Sequence, residues 1–227
     1  MINNNKINAK ITGWFFIIAA ISSIIGLKLY DPILNNNNFL QSSNHYSQIV
    51  FGSINELILI STAVGTGIML FPVLKNYNEK IALAYFSFRL LEAVFIMIGI
   101  ISVLTALSIS TYYTNGVNIN KENAESLMLA FIWLHKWSFM LGPNFMLAIN
   151  TFLYSYAFYK TQVVPINLAK LGISASLLIM LAAILEMFGV IEQLSIWGIL
   201  LALPIAFFEM AFAIRLINKG FNATIQL

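Results

Sequence analysis

The sequence predicts an all-α polytopic membrane protein: a six-transmembrane-helix bundle forming one membrane domain over residues 1–227, with both termini cytoplasmic. Three observations predict it. The chain is 59% hydrophobic and only 9% charged, where a soluble domain carries about 25% charged residues. Its apolar residues fall into six runs long enough to cross a bilayer, which takes about 20 residues. Its lysines and arginines sort to alternate connections, as topogenic charges do.

The first run, Ile11–Leu29, follows Lys6 and Lys10 and contains a weak cleavage-like triplet, Ala20-Ile21-Ser22. It reads as a retained span rather than a signal peptide. The Asn-rich stretch Asn35–Asn38, continuing to Gln48, reads as a solvated external loop. Ile49–Leu74 is the second span. The third, Ile81–Ile109, and the fourth, Leu127–Tyr159, are longer than a bilayer requires. Such lengths are accommodated by tilt or by ends that project into the interface. Gly142-Pro143 is expected to kink the fourth, because proline removes a backbone donor and clashes with the preceding turn. Leu168–Gly189 and Leu194–Ile217 complete the set. Runs this long and uniform are helices, which satisfy their own backbone in lipid. Together they occupy more than half of the chain and leave no room for a soluble catalytic domain.

With the N-terminus inside, Lys6, Lys10, Lys75, Lys80, Lys160, Lys170, Arg215 and Lys219 all fall on the cytoplasmic side, against Lys28 and Lys121 outside. Trp14, Trp133, Trp137 and Trp197 then lie near the interfaces, as an aromatic belt requires. The basic balance is thereby explained by topology, and no nucleic-acid partner is expected. There is no cysteine, which excludes disulfides, Fe–S clusters and thiol chemistry. Two histidines, His45 and His135, are too few for a metal site built from several imidazoles. Asn222-Ala223-Thr224 has glycosylation spacing but falls on the expected cytoplasmic tail.

Function is sought where charge enters lipid. A charge at bilayer depth costs at least ~2.5–3.5 kcal/mol, so each must be paired, solvated or used. Arg89 and Glu92 are three residues apart and share a helix face. At about 1.5 Å per residue, Glu92 lies roughly 16 Å in from Ile81, near the bilayer centre. Glu209 enters from the other direction, a turn and a half after Pro204. Two carboxylates beside one guanidinium leave a surplus negative charge. Arg89, Glu92 and Glu209, with Asn144 and Asn150 lining it, therefore form a candidate intramembrane polar pocket or proton relay; the bland reading is a buried ion pair that holds helices together. A second, outer-side group is Glu56, His135, Lys136 and Glu186, with Asn144 near it. Glu56 near the start of the second span is expected to snorkel to the interface, and His135-Lys136 between Trp133 and Trp137 to lie there too. One histidine and two carboxylates have no diagnostic metal spacing, so no metal is assigned.

No cofactor is expected. Gly65-Thr66-Gly67 lacks the strand and third glycine of a dinucleotide fingerprint. No Walker motif, nucleophile elbow or metalloprotease HExxH occurs. Gly65, Gly67, Gly99 and Gly172 are candidates for close helix approach. Phe88 to Ala93 faintly echoes Phe207 to Ala211, too short a match to argue an inverted repeat.

Several local patterns, in order, cover about Ala9 to Phe221. They are Thr12-Gly13, Leu70-Phe71-Pro72-Val73-Leu74, Phe88-Arg89-Leu90-Leu91-Glu92-Ala93, Leu141-Gly142-Pro143, and then Asn150, Leu153 and Tyr156. Val164-Pro165, Gly172, Leu203-Pro204-Ile205-Ala206-Phe207-Phe208-Glu209 and Lys219-Gly220-Phe221 follow. In these the chain resembles a bacterial integral-membrane family, domain of unknown function 4386. It departs at Lys10, where arginine is usual, and at Ile166-Asn167, where a basic residue is common. The resemblance implies a multi-pass protein of the bacterial cytoplasmic membrane with Arg89, Glu92 and Glu209 in the family pattern. It carries over no catalytic or binding role.

Three functions stay open on the sequence. The first is binding or transport of a small molecule or ion at the Arg/Glu pocket. The second, less favoured for want of a catalytic motif, is an enzyme acting on a lipid-like substrate at His135, Glu56 and Glu186. The third is a non-catalytic membrane subunit or sensor. The expected partners are the lipid bilayer and a small-molecule or lipid ligand at the pocket, and oligomeric state is left open.

Overall fold

A computed structural model describes residues 2–116 and 119–222, so Ala223 and Thr224 of the glycosylation-like triplet lie outside the described residues. Among these residues the chain is helical throughout, with no strand. The long helices are α1 (Ile2–Leu29), α3 (Tyr46–Lys75), α4 (Glu79–Thr114), α5 (Lys121–Phe139), α6 (Leu147–Thr161), α7 (Ile166–Met187) and α8 (Ile196–Lys219). Between α1 and α3 lie a single turn, α2 (Asp31–Leu34), and a 3-10 segment, Phe39–His45.

The starts of α4, α5 and α8 are set by side-chain caps. The Asn78 side chain accepts from the backbone N–H of Lys80 (2.9 Å) and Ile81 (3.3 Å) at the head of α4. Asn120 caps α5 through Asn123 (2.8 Å), and Ser195 caps α8 through Gly198 (3.2 Å). Each cap satisfies amide donors that the first turn leaves free. At the other end, Gln162 adopts φ 54°, which stops α6.

Five helical stretches are long and apolar enough to cross a membrane: Lys6–Leu29, Phe39–Lys75, Glu79–Thr114, Ile166–Met187 and Ile196–Lys219. The expected fourth span, Leu127–Tyr159, is the exception. It is three consecutive pieces, with a π-helical segment at Met140–Met146 between α5 and α6. Lys121, Glu122, Glu125 and Lys136 make α5 too polar to qualify, and α6 has only 15 residues. Pro143 sits in the wide turn, where it cannot donate a backbone hydrogen bond. The kink inferred from Gly142-Pro143 is thus a π segment, the usual form of such an interruption.

The helices close a ring. Each of α1, α3, α4 and α5 packs on the next in line, as do α6, α7 and α8; α8 returns to α1, and α4 also meets α6. The main core lies among α1, α3, α4, α6, α7 and α8, around Phe16, Tyr85, Tyr154, Phe158, Phe208 and Phe212. A second cluster joins Tyr30, Ile33 and Leu40 to Ile49, Val103, Leu107 and Met128. That cluster corrects the expectation of a solvated loop. Asn35–Asn38 are exposed, but the 3-10 segment is fastened to α4. Ser43 N–H donates to Ser110 Oγ (2.9 Å), and Ser110 Oγ donates to the Leu40 carbonyl (2.8 Å). All four tryptophans are exposed on the outside of the bundle.

Two devices close the ring. Gly13 lets α1 lie against α8: a Cβ there would stand 2.7 Å from the Ala213 carbonyl oxygen and 2.7 Å from Ile217. At the far end of α8, Arg215 donates to the Gly220 carbonyl (2.7 Å) and to Asn222 Oδ1 (2.6 Å). Asn222 in turn donates through its side chain to the Gln162 carbonyl (2.8 Å) and through its backbone to Val163 (2.7 Å).

Since a backbone carbonyl cannot swing aside, Gly13→Val should destabilise the protein by about 1–3 kcal/mol. Thermal unfolding in detergent checks this, and an unchanged midpoint would mean that α1 and α8 are not held so closely.

Candidate functional site

Arg89 and Glu92 project from the same face of α4 into the bundle, only 3% and 5% exposed. Arg89 Nη1 donates to Glu92 Oε2 at 2.8 Å. Arg89 Nε donates toward α3, to the Ala63 carbonyl (3.1 Å) and to Thr66 Oγ1 (3.0 Å). Thr66 can receive that bond because its own hydroxyl donates back to Ala63 (2.7 Å). Phe16 of α1 lies under the guanidinium, 5.8 Å from its carbon. Asn150 of α6, fully buried, donates to the same Glu92 oxygen at 2.6 Å. Helices α3, α4 and α6 thus meet in one charge-assisted network, the strong kind of hydrogen bond.

Glu209 is partly buried on α8, close enough to act electrostatically on Arg89, Glu92, Tyr85 and Tyr154. It makes no hydrogen bond or ion pair among the described residues. On α4 and α6 the sequence reading missed a set of hydroxyls. Tyr85 is one turn before Arg89 on α4, and Tyr154 and Ser155 lie one turn after Asn150 and Thr151 on α6. All three are buried with no hydrogen-bond partner. The two phenols approach Thr66 and Thr151 but meet neither in bonding geometry. A signal existed: Asn150, Thr151, Tyr154 and Ser155 form a polar stripe at helical spacing inside an apolar run.

Asn144 does not join this network. Its amide donates to both carboxylate oxygens of Glu186 on α7, at 3.3 and 3.1 Å. The π segment turns that side chain away from Arg89, which the spacing alone could not reveal.

The outer-side group also divides. Glu56 does not snorkel; it is 3% exposed. Helix α3 begins at Tyr46, ten residues earlier, so Glu56 sits about 15 Å in from the helix start. Tyr30 reaches over it, its hydroxyl 3.4 Å from Glu56 Oε2 and 3.1 Å from Ser53 Oγ. His135 is buried as well, edge-on to the Tyr30 ring at 5.7 Å and stacked on Phe139 at 6.0 Å, with Nδ1 unpartnered. Gly99 makes room for it, since a Cβ there would come within 3.3 Å of the imidazole. Lys136 points outward instead, its ammonium 4.8 Å from the Trp133 ring. Glu186 belongs to Asn144. Among the described residues no three His, Cys, Asp or Glu side chains converge on a point where a metal ion could sit.

Fold and site describe a class: a bundle of membrane-length apolar helices with a charged layer sealed inside it. Residues 11–220 match the family described as Domain of unknown function (DUF4386), and the chain belongs to that family. No curated protein and no solved structure matches the chain.

Removing one partner of a buried ion pair costs more than removing both. Arg89→Leu alone should destabilise the protein by about 3–5 kcal/mol, and adding Glu92→Leu should restore most of that. Unfolding midpoints in detergent for the two variants test this coupling. Lys136→Ala, by contrast, should leave the midpoint nearly unchanged, because its ion–ring contact is exposed.

Proposed function

We propose that this protein binds or transports a small molecule or ion at an intramembrane site formed by Arg89, Glu92, Asn150 and Glu209. The observation that carries the reading is Glu209. The Arg89–Glu92–Asn150 network is satisfied without it, and yet a second carboxylate is brought into the same low-dielectric region with no bonding partner among the described residues. A chain that needed the charges for packing alone would have no use for it. The unpartnered hydroxyls of Tyr85, Tyr154 and Ser155 support the same reading, because buried polar groups without partners mark places where a ligand or water completes the network.

The proposal includes the setting. The α5, π and α6 pieces are taken to cross the bilayer together as a sixth passage, which returns the C-terminus to the side of the N-terminus. The lysine and arginine distribution favours the cytoplasmic face of a bacterial cytoplasmic membrane for both. A reporter that fluoresces only in the cytoplasm, fused after Leu227, should be bright; a dark fusion would remove the sixth passage.

Native mass spectrometry in lipid nanodiscs tests the site. Wild type is expected to retain a small molecule, lipid or ion that Glu92→Gln loses while remaining folded. An equally stable, equally empty pair would count against an occupied site. A mutant that falls apart would favour the reading in which Arg89 and Glu92 serve helix packing in a non-catalytic subunit or sensor.

A further inference from the structure

We propose that the protein carries a second site, facing water at the far end of α4, that binds one ring of a neutral sugar in a cavity between α4, α5 and the 3-10 segment. This site is separate from the intramembrane one and does not depend on it.

Helix lengths place the cavity outside the bilayer. Helix α7 has 22 residues and α4 has 36, or about 33 and 54 Å at 1.5 Å per residue. The shorter helix already matches a hydrocarbon core of about 30 Å. The excess of α4 lies at one end. Glu92 and Asn150 bond to each other, roughly 20 Å from Glu79 and roughly 16 Å from Thr161 along their helices. The start of α4 is therefore nearly level with the end of α6. Gly172 of α7 lies against Ser155 of α6, which brings the start of α7 to the same level. The Thr114 end of α4 then rises about 20 Å beyond the end of α7. The start of α5 and the 3-10 segment rise with it, since both pack on α4. Their residues suit water: Thr105, Ser108, Thr111 and Thr114 on α4, and Lys121, Glu122 and Glu125 on α5.

The cavity measures about 160 Å³. It is lined by Asn37, Asn38 and Gln41, by Tyr113 of α4, and by Lys121 and Glu125 of α5. Phe39 and Leu40 form the apolar part of its wall. The wall is held by bonds that leave the lining amides unused. Gln41 N–H donates to the Asn38 carbonyl (2.9 Å), Ser110 Oγ fixes the Leu40 carbonyl (2.8 Å), and the Ser43 and Thr114 hydroxyls meet at 3.0 Å. The side chains of Asn37, Asn38, Gln41 and Tyr113 make no hydrogen bond among the described residues.

The lining chemistry selects the ligand. Amides and a phenol both donate and accept, as alcohols do, so they match a molecule rich in hydroxyls. Lys121 and Glu125 pair at 3.6 Å and sum to no charge, which favours a neutral ligand. Phe39, Leu40 and Tyr113 offer apolar contact to the C–H face of a ring. A cavity of about 150 Å³ takes a benzene ring, so this one has room for a single six-membered ring.

Saturation-transfer NMR on the protein in nanodiscs tests the site, with empty nanodiscs as the blank. D-glucose, D-galactose, D-mannose and N-acetyl-D-glucosamine are titrated one at a time. At least one is expected to bind saturably. A methyl glycoside that binds like its parent sugar identifies the end of a glycan as the ligand; one that is rejected identifies the free sugar. Asn37→Ala and Gln41→Ala should each raise the Kd about fivefold, the weight of one neutral hydrogen bond. Gln41→Trp, which fills the cavity from an exposed position, should abolish binding, while Lys136→Ala should leave it unchanged. The proposal is overturned if none of the four sugars binds, if binding survives Gln41→Trp, or if glycine or glucose 6-phosphate binds where the neutral sugars do not. Failure here leaves the intramembrane reading standing, because the two sites are tested by different ligands and different variants.

Discussion

The bond between Arg89 and Glu92 is the constraint on which the bundle's interior depends. Neither group can be left in an apolar core alone, so each neighbour is arranged around their pairing. Helix α3 contributes a carbonyl and a threonine hydroxyl, α6 an asparagine amide, and α1 a ring. Helices that share only apolar surface have little reason to prefer one register in lipid, whose tails are as apolar as leucine. A guanidinium that donates to fixed atoms of α3 and a carboxylate that accepts from α6 supply that preference. The register of α3, α4 and α6 is set at one depth, and the aromatic core of Tyr85, Tyr154, Phe158, Phe208 and Phe212 packs beside it.

The protein keeps its polar chemistry in separate chambers. Asn144 and Glu186 pair between the π segment and α7, while Tyr30, Ser53 and Glu56 form a cluster under the α2 turn, next to His135. In each case a side chain from another element satisfies the carboxylate. Glu209 alone breaks the pattern, which is why it bears the functional argument.

Much of this was legible in the residues, and the failures have physical causes. Five helical stretches fall where hydropathy puts them, because long apolar runs have no other way to satisfy their backbone. The pairing of Arg89 with Glu92 follows from their spacing on one helix. What hydropathy does not encode is a change of helical pitch. Gly142-Pro143 announces a disturbance, but only the wide turn it takes decides that Asn144 faces Glu186 and Asn150 faces Glu92. Glu56 was misjudged for a similar reason. Its depth depends on a helix that begins before the apolar run and on a roof, Tyr30 and the 3-10 segment, built from residues that read as loop. Tyr85, Tyr154 and Ser155 look like ordinary core residues until the atoms around their hydroxyls are known.

Because Arg89 and Glu92 are neighbours on one helix, α4 carries its own neutralisation. It can leave the aqueous phase as a unit, before α6 has been synthesised to offer Asn150. Glu209 has no such companion on α8, and α8 follows the other described helices in the chain. The order of charges along the polypeptide therefore doubles as an order of assembly: a self-sufficient pair goes in early, and the lone acid arrives last, against a guanidinium already in place.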